Sequence, residues 1–157
     1  MELQPRILYI WRLSNYPDLK GFGGLISEGR WHSKGQAIVY CTENADCALE
    51  EVQKHLDLPA ILIPSDYLIL KVRVPGNVKV ADLQLQKLPE EWRGSYHLTQ
   101  PLGDKWLRSV ATPVARVPSA LFDDFSNFLI NPAHRMSDFI EIVEKIKIKS
   151  YLKARKL

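Results

Sequence analysis

Hydrophobic residues in this chain come in short runs separated by polar, glycine- and proline-rich connections, and the period of each run names an element. Ile7, Leu8, Tyr9, Ile10 and Trp11 form a β-branched and aromatic run that predicts a buried strand over residues 6–13, with Arg12 emerging where the run stops. Residues 66–74 alternate: Leu68, Leu70, Val72 and Val74 share one face and Lys71 and Arg73 the other, a half-buried strand ended by Pro75-Gly76. Further strands are expected at 37–41, 114–117 and 127–130, and 145–149 alternates lysine with isoleucine as a lysine-guarded edge strand does. Helical spacing marks residues 44–55, where Asn44 is a plausible N-cap and Ala45, Ala48, Leu49, Val52 and Leu56 line one face. That spacing sets Glu51 beside the apolar stripe and Glu50 further round towards solvent. A second helix is expected at 101–110, with Leu102, Trp106 and Val110 on its inner face. Residues 15–29, rich in glycine and polar groups, read as loop; 82–92 read as short helical or irregular structure, and 132–138 as a turn or short helix. Strands outnumber helices without regular βαβ alternation. The expectation is one α+β domain over residues 1–157, built on a mixed or antiparallel sheet with helical insertions.

Composition changes this picture little. The 157 residues are 46% hydrophobic and 25% charged, an ordinary globular balance. The net charge of +3 is local: six of the 21 Lys and Arg residues fall at or after Lys145, and the rest of the chain is slightly acidic, so no general nucleic-acid footprint exists. Two cysteines, Cys41 and Cys47, do not make a disulfide framework and fit a reducing compartment. No signal-peptide pattern and no membrane-length apolar run are present, so a cytoplasmic location is expected.

Candidate chemistry concentrates in Gly29-Arg30-Trp31-His32-Ser33-Lys34-Gly35 and in the helix after it. Glycines let backbone approach a ligand closely, arginine matches phosphate with a planar fork of donors, and a carboxylate in apolar surroundings is costly. Together they suggest a phosphate-bearing ligand near an acid; a surface loop followed by solvated glutamates is the plainer alternative. The histidines at 32, 55, 97 and 134 share no ligand spacing with one another or with cysteine, so no metal site is expected. Among Trp11, Trp31, Trp92 and Trp106, Trp31 is the best candidate for a stacking platform because polar loop residues surround it.

In order along the chain, Trp11-Arg12, Gly29-Arg30-Trp31 with Gly35, Val39-Tyr40 and Ala48-Leu49-Glu50-Glu51-Val52 resemble the RES-domain family. Gly103-Asp104 with Trp106, Val117-Pro118-Ser119 and the stretch from Asn127 to His134 continue the resemblance, which spans roughly residues 9–134. The family's arginine, glutamate and serine fall on Arg12, Glu51 and Ser119; Glu51 is preferred to Glu50 because the family's acid directly precedes the valine, here Val52. Two positions depart from the family pattern: His32 stands where asparagine is common, and Ser27 where an aromatic is common, with Tyr40, Trp31 and Phe22 as the aromatics at hand.

The resemblance implies a fold related to ADP-ribosyltransferases and a toxin of a bacterial toxin–antitoxin pair, acting on NAD as substrate without a cofactor or metal. It also implies an Xre-type antitoxin that blocks the site. NAD, that antitoxin and a second copy of the chain in a homodimer are the partners expected. In the implied mechanism Glu51 stabilises an oxocarbenium-like state as the nicotinamide–ribose bond breaks, by hydrolysis or phosphorolysis. Arg12 and Arg30 hold the pyrophosphate, Ser119 orients the ribose or the glutamate, and Trp31 or Tyr40 stacks on nicotinamide. Two rivals stand beside this: ADP-ribose transfer to a protein, and a non-catalytic nucleic-acid- or protein-binding module built on the basic tail. That tail carries one aromatic, Tyr151, to interleave with its charges.

Overall fold

The computed structural model describes residues 6–83 and 88–155. In chain order its elements are β1 (Leu8–Ser14), α1 (Gly23–Ile26), β2 (Val39–Thr42), α2 (Ala45–Leu56), β3 (Leu68–Val74), β4 (Val80–Asp82), α3 (Tyr96–Ser109), β5 (Val114–Pro118), β6 (Ser126–Ile130), β7 (Glu141–Lys147) and α4 (Ile148–Arg155). Short 3₁₀ turns occupy Ala60–Leu62, Trp92–Gly94 and Arg135–Phe139. The strands form one seven-stranded sheet in the order β4-β5-β6-β2-β1-β3-β7. Every pairing is antiparallel except β4 with β5. This is the expected α+β domain with a mixed sheet.

The two faces of the sheet are buried differently, and the period of two decides which residue serves which face. Ile10 on β1, Val39 and Cys41 on β2, Leu70, Val72 and Val74 on β3, and Phe128 and Ile130 on β6 pack on one face. Loop residues close that face: Leu19, Val78 and Ile140. The other face carries the longer helices in two groups. Leu13 and Ile69 pack with Ala48 and Leu49 of α2 and Ile148 of α4. Ala115, Val117 and Leu129 pack with Trp106 and Leu107 of α3 and with Trp31 and Trp92. The central strands β2 and β6 run between these two groups.

Helix α2 begins as its sequence requires: the Asn44 side chain accepts from the Cys47 amide at 2.8 Å, and Asp57 ends it in the left-handed region. Elsewhere the expected boundaries shift. Residues 15–29 are not all loop, because α1 forms within them. Helix α3 starts at Tyr96, five residues before the proline expected to open it, and Pro101 lies inside it. Tertiary contacts from its first turns outweigh the lost backbone hydrogen bond. Val110, expected on the inner face, is the C-cap at φ 49° and is 40% exposed. Of the strand expected at 145–149 only residues 145–147 are strand, the end of β7, which begins four residues earlier; Ile148 and Lys149 open α4, whose Tyr151 hydroxyl donates to Asp46 of α2. Part of the 82–92 segment lies outside the described residues. β7 is one of the two edges of the sheet, and its Lys145 and Lys147 are exposed, as a guarded edge requires.

Replacing the α2 cap tests the helix that carries both candidate glutamates. Asn44→Ala removes the acceptor for the Cys47 amide, and urea unfolding should show a loss of about 1 kcal/mol.

Candidate active site

The glycine-bracketed loop is docked on α3. At Gly103 a Cβ would lie 1.6 Å from the Trp31 carbonyl oxygen, so only glycine lets the helix come this close. Around that contact the Thr99 hydroxyl donates to the Arg30 carbonyl, and Gln100 Nε2 donates to the Gly29 carbonyl at 2.9 Å and to Glu28 at 3.1 Å. Asp104 closes the far end, accepting from the Ser33 amide at 2.8 Å, the Ser33 hydroxyl at 2.6 Å and Gln36 Nε2 at 2.5 Å. Burial alone would raise the Asp104 carboxyl, but the Ser33 and Gln36 hydrogen bonds, with the charge of Arg108, hold it below the usual range.

Docking decides where the loop's side chains go. Trp31 is 1% exposed and packs against Trp92 with ring centroids 6.1 Å apart. It therefore has no free face for a nicotinamide, and the expected stacking role is corrected: the tryptophan is the loop's anchor in the core. Arg30 is half-buried, donating to the Arg93 carbonyl at 2.6 Å, with its guanidinium 5.0 Å from the Tyr96 ring centroid and 5.8 Å from that of Trp92. Tyr40, half-buried on β2, accepts from the Trp31 amide at 3.0 Å and lies 2.8 Å from His32 Nδ1. Burial pushes its phenol well above the ordinary value.

Glu51 approaches the same sheet face from α2. It is half-buried while Glu50 is exposed, as the helical spacing predicts. Its carboxylate accepts from Asn127 Nδ2 at 3.1 Å. Asn127 stands opposite Thr42 on β2 and Val117 on β5, on the face that packs against the helices. At the same end of the sheet the Ser126 amide donates to Glu43 at 3.3 Å. Ser119, just past the end of β5, is 2% exposed; its hydroxyl accepts from the amides of Leu121 and Phe122, both at 3.2 Å, and shapes the turn leading into β6. The hydrogen-bond partner of the glutamate is thus Asn127, a residue quoted in the sequence resemblance but assigned no role. A polar side chain at the start of a strand was its only signal.

Arg12 is not brought to Glu51. Alternation along β1 places it with Ile10 and Ser14, opposite Leu70, on the loop-covered face, whereas Trp11 and Leu13 face α2. It donates to the Ser14 hydroxyl at 3.2 Å, its Nε finds no partner among the described residues, and burial lowers its pKa while the nearby Cys41 and Asp18 raise it. Order along the chain put Arg12 in the set; the side of the strand removes it from the glutamate's face. Among the described residues no three His, Cys, Asp or Glu side chains gather to hold a metal, and no helix is long and apolar enough to cross a membrane.

The RES domain family profile matches residues 9–149. The chain belongs to the RES domain family. A relative named Toxin Res, from Pseudomonas putida, is 34% identical over 135 residues, covering 86% of this chain and 92% of that protein. A second, the Prs ADP-ribosylating toxin of a Sphingobium species, is 32% identical over 122 residues and 74% of each chain. Among solved structures, the toxin–antitoxin complex MbcT–MbcA of M. tuberculosis includes a chain that superposes with a TM-score of 0.73 over 97% of this chain and 91% of that one, at 15% identity. The fold is therefore shared where little sequence is.

Asp104 gives the loop docking a pH signature. Its depressed carboxyl contributes stability that is complete above the unfolded value near 3.9 and is lost as pH falls through the native one. Asp104→Ala should cost about 2 kcal/mol at pH 7. Urea titrations at pH 7 and pH 3 should show that penalty shrinking at the lower pH.

Proposed function

We propose that this RES domain is the toxin of a toxin–antitoxin pair and that it consumes NAD by breaking the bond between nicotinamide and ribose. The observation that carries the reading is the half-buried Glu51 carboxylate, held by Asn127 at the end of the central strands, on the sheet face where the docked loop brings Arg30 and β2 carries Tyr40. Its relatives named Toxin Res and the toxin–antitoxin complex of like fold support the toxin part of this reading.

The chemistry follows from the leaving group. As the glycosidic C–N bond breaks, its electron pair goes to the pyridinium nitrogen and nicotinamide departs neutral. Positive charge develops on the ribose C1′ and ring oxygen. A fixed carboxylate beside that sugar stabilises the charge and accepts hydrogen bonds from ribose hydroxyls. Glu51 takes this role, with Asn127 fixing its orientation. Arg30, stacked beside Tyr96 and Trp92, is our choice for the pyrophosphate, because it lies on the Glu51 side of the sheet and Arg12 does not. Ser119 acts by shaping the turn before β6. The carbon left at C1′ then bonds to water, to phosphate or to a protein side chain, with loss of the nucleophile's proton. The Sphingobium relative, an ADP-ribosylating toxin by name, favours the last acceptor as a second reading.

Incubating the purified chain with NAD, with and without phosphate and with cell extract as acceptor, separates these outcomes. Free ADP-ribose reports hydrolysis, ADP-ribose 1″-phosphate reports phosphorolysis, and labelled protein reports transfer. NAD left intact in all three would overturn the reading. Glu51→Gln should lower kcat by about a hundredfold or more, while Glu50→Gln stays within about threefold of the wild type. Equal losses would show that the wrong carboxylate has been chosen.

A further inference from the structure

Ser27 and His32 meet in the structure through the Ser27 carbonyl. His32 is 3% exposed, and its ring fills a slot walled by two glycines. A Cβ on Gly24 would lie 3.1 Å from His32 Nε2, and one on Gly29 would lie 2.9 Å from His32 Cε1 and 2.6 Å from the Tyr40 hydroxyl. Both glycines thus lie close against the edge of the ring that carries Nε2, Cε1 and Nδ1, and its two nitrogens have fixed neighbours.

Those neighbours determine the tautomer. Nε2 lies 2.9 Å from the Ser27 carbonyl oxygen, which only accepts, so Nε2 carries the hydrogen. Nδ1 of the neutral ring is then bare, and at 2.8 Å it accepts from the Tyr40 hydroxyl. A phenol has one proton and two lone pairs. The proton goes to His32, one lone pair takes the Trp31 amide at 3.0 Å, and one lone pair is left. The chain of hydrogen bonds thus runs from the Trp31 amide through Tyr40 and His32 to the Ser27 carbonyl.

We propose that His32 is a positioning residue acting through Tyr40: by taking the phenol's only proton, it leaves Tyr40 able to accept but not to donate. A ligand group that binds there must be a donor, a hydroxyl or an amide NH₂. A phosphate or carboxylate oxygen is excluded. The inference rests on the NAD reading above and narrows it: Tyr40 meets a ribose hydroxyl or the nicotinamide carboxamide, and the pyrophosphate goes elsewhere. An asparagine at position 32 would keep an acceptor oxygen for the phenol but would reach less far towards the Ser27 carbonyl.

Two measurements on the full chain test this. Long-range ¹H–¹⁵N NMR of the imidazole should show His32 as the Nε2–H tautomer; an Nδ1–H or doubly protonated ring would overturn the proposal whatever the enzyme does. In NAD kinetics, His32→Leu should raise KM about tenfold with kcat nearly unchanged, and His32→Asn should remain within about threefold of the wild type. Tyr40→Phe should match His32→Leu, and combining the two should add nothing further. Losses that multiply in the double variant would show that His32 does not act through Tyr40. Where His32→Leu fails to fold by circular dichroism, a His32→Asn variant that matches Tyr40→Phe in its loss would overturn the proposal equally. A wild type without NAD turnover would sink the NAD reading alone, since the tautomer is read without substrate.

Discussion

The loop side of the candidate site depends on how closely α3 backs onto the Trp31 carbonyl. A methyl group at Gly103 has no room there, so the contact exists only because that helix position is glycine. Once the backbones touch, Thr99, Gln100 and Asp104, on neighbouring turns of the same helix, each find a partner on the loop. Asp104 satisfies three donors at once, and a carboxylate so enclosed is held ionised by those donors in spite of burial. The loop is thereby as much a part of the core as a strand is. It presents Arg30 because Trp31, its neighbour, is turned inward.

The site then has two walls of different origin. One wall is the docked loop, fixed through α3. The other is α2, fixed by its cap at Asn44, by its packing against Leu13 and Ile69, and by the hydroxyl of Tyr151 on α4. Strands β2 and β6 run between them and contribute Tyr40 and Asn127, each already hydrogen-bonded to one wall. Groups held by prior contacts lose little freedom when a substrate arrives, which is the main service a rigid scaffold offers to catalysis. The hydrogen-bond chain through His32 extends this logic from position to polarity, because it sets whether a phenol donates or accepts.

The opposite face shows what the same alternation takes away. Arg12 stands one residue from Trp11 and Leu13, yet its guanidinium lies among Ile10, Ser14 and Cys41 beneath a cover of loops. Burial weakens its charged form, and burial likewise pushes the neighbouring Cys41 thiol up to about 12, so that sulfur stays protonated. The arginine of the family's three residues is in this respect a structural neighbour of the core.

Local physics was legible in the residues themselves. The alternation of β3, the Asn44 cap, the solvent-facing Glu50 beside a half-buried Glu51, and the lysine-guarded edge are all set by periods of two or 3.6 and by the hydrogen-bonding habits of single side chains. The α+β class followed from them, and several short blocks in order along the chain, from Trp11-Arg12 to the stretch ending at His134, carried the family. Tertiary structure decided the rest, because it turns on contacts between residues far apart in the chain. It extended α3 back to Tyr96 through contacts with the loop, sent Trp31 into the core, gave Glu51 the Asn127 amide 76 positions away, and put Arg12 behind the sheet. A sequence shows which groups are present and on which side of their own element they lie; which element they meet is a property of packing alone.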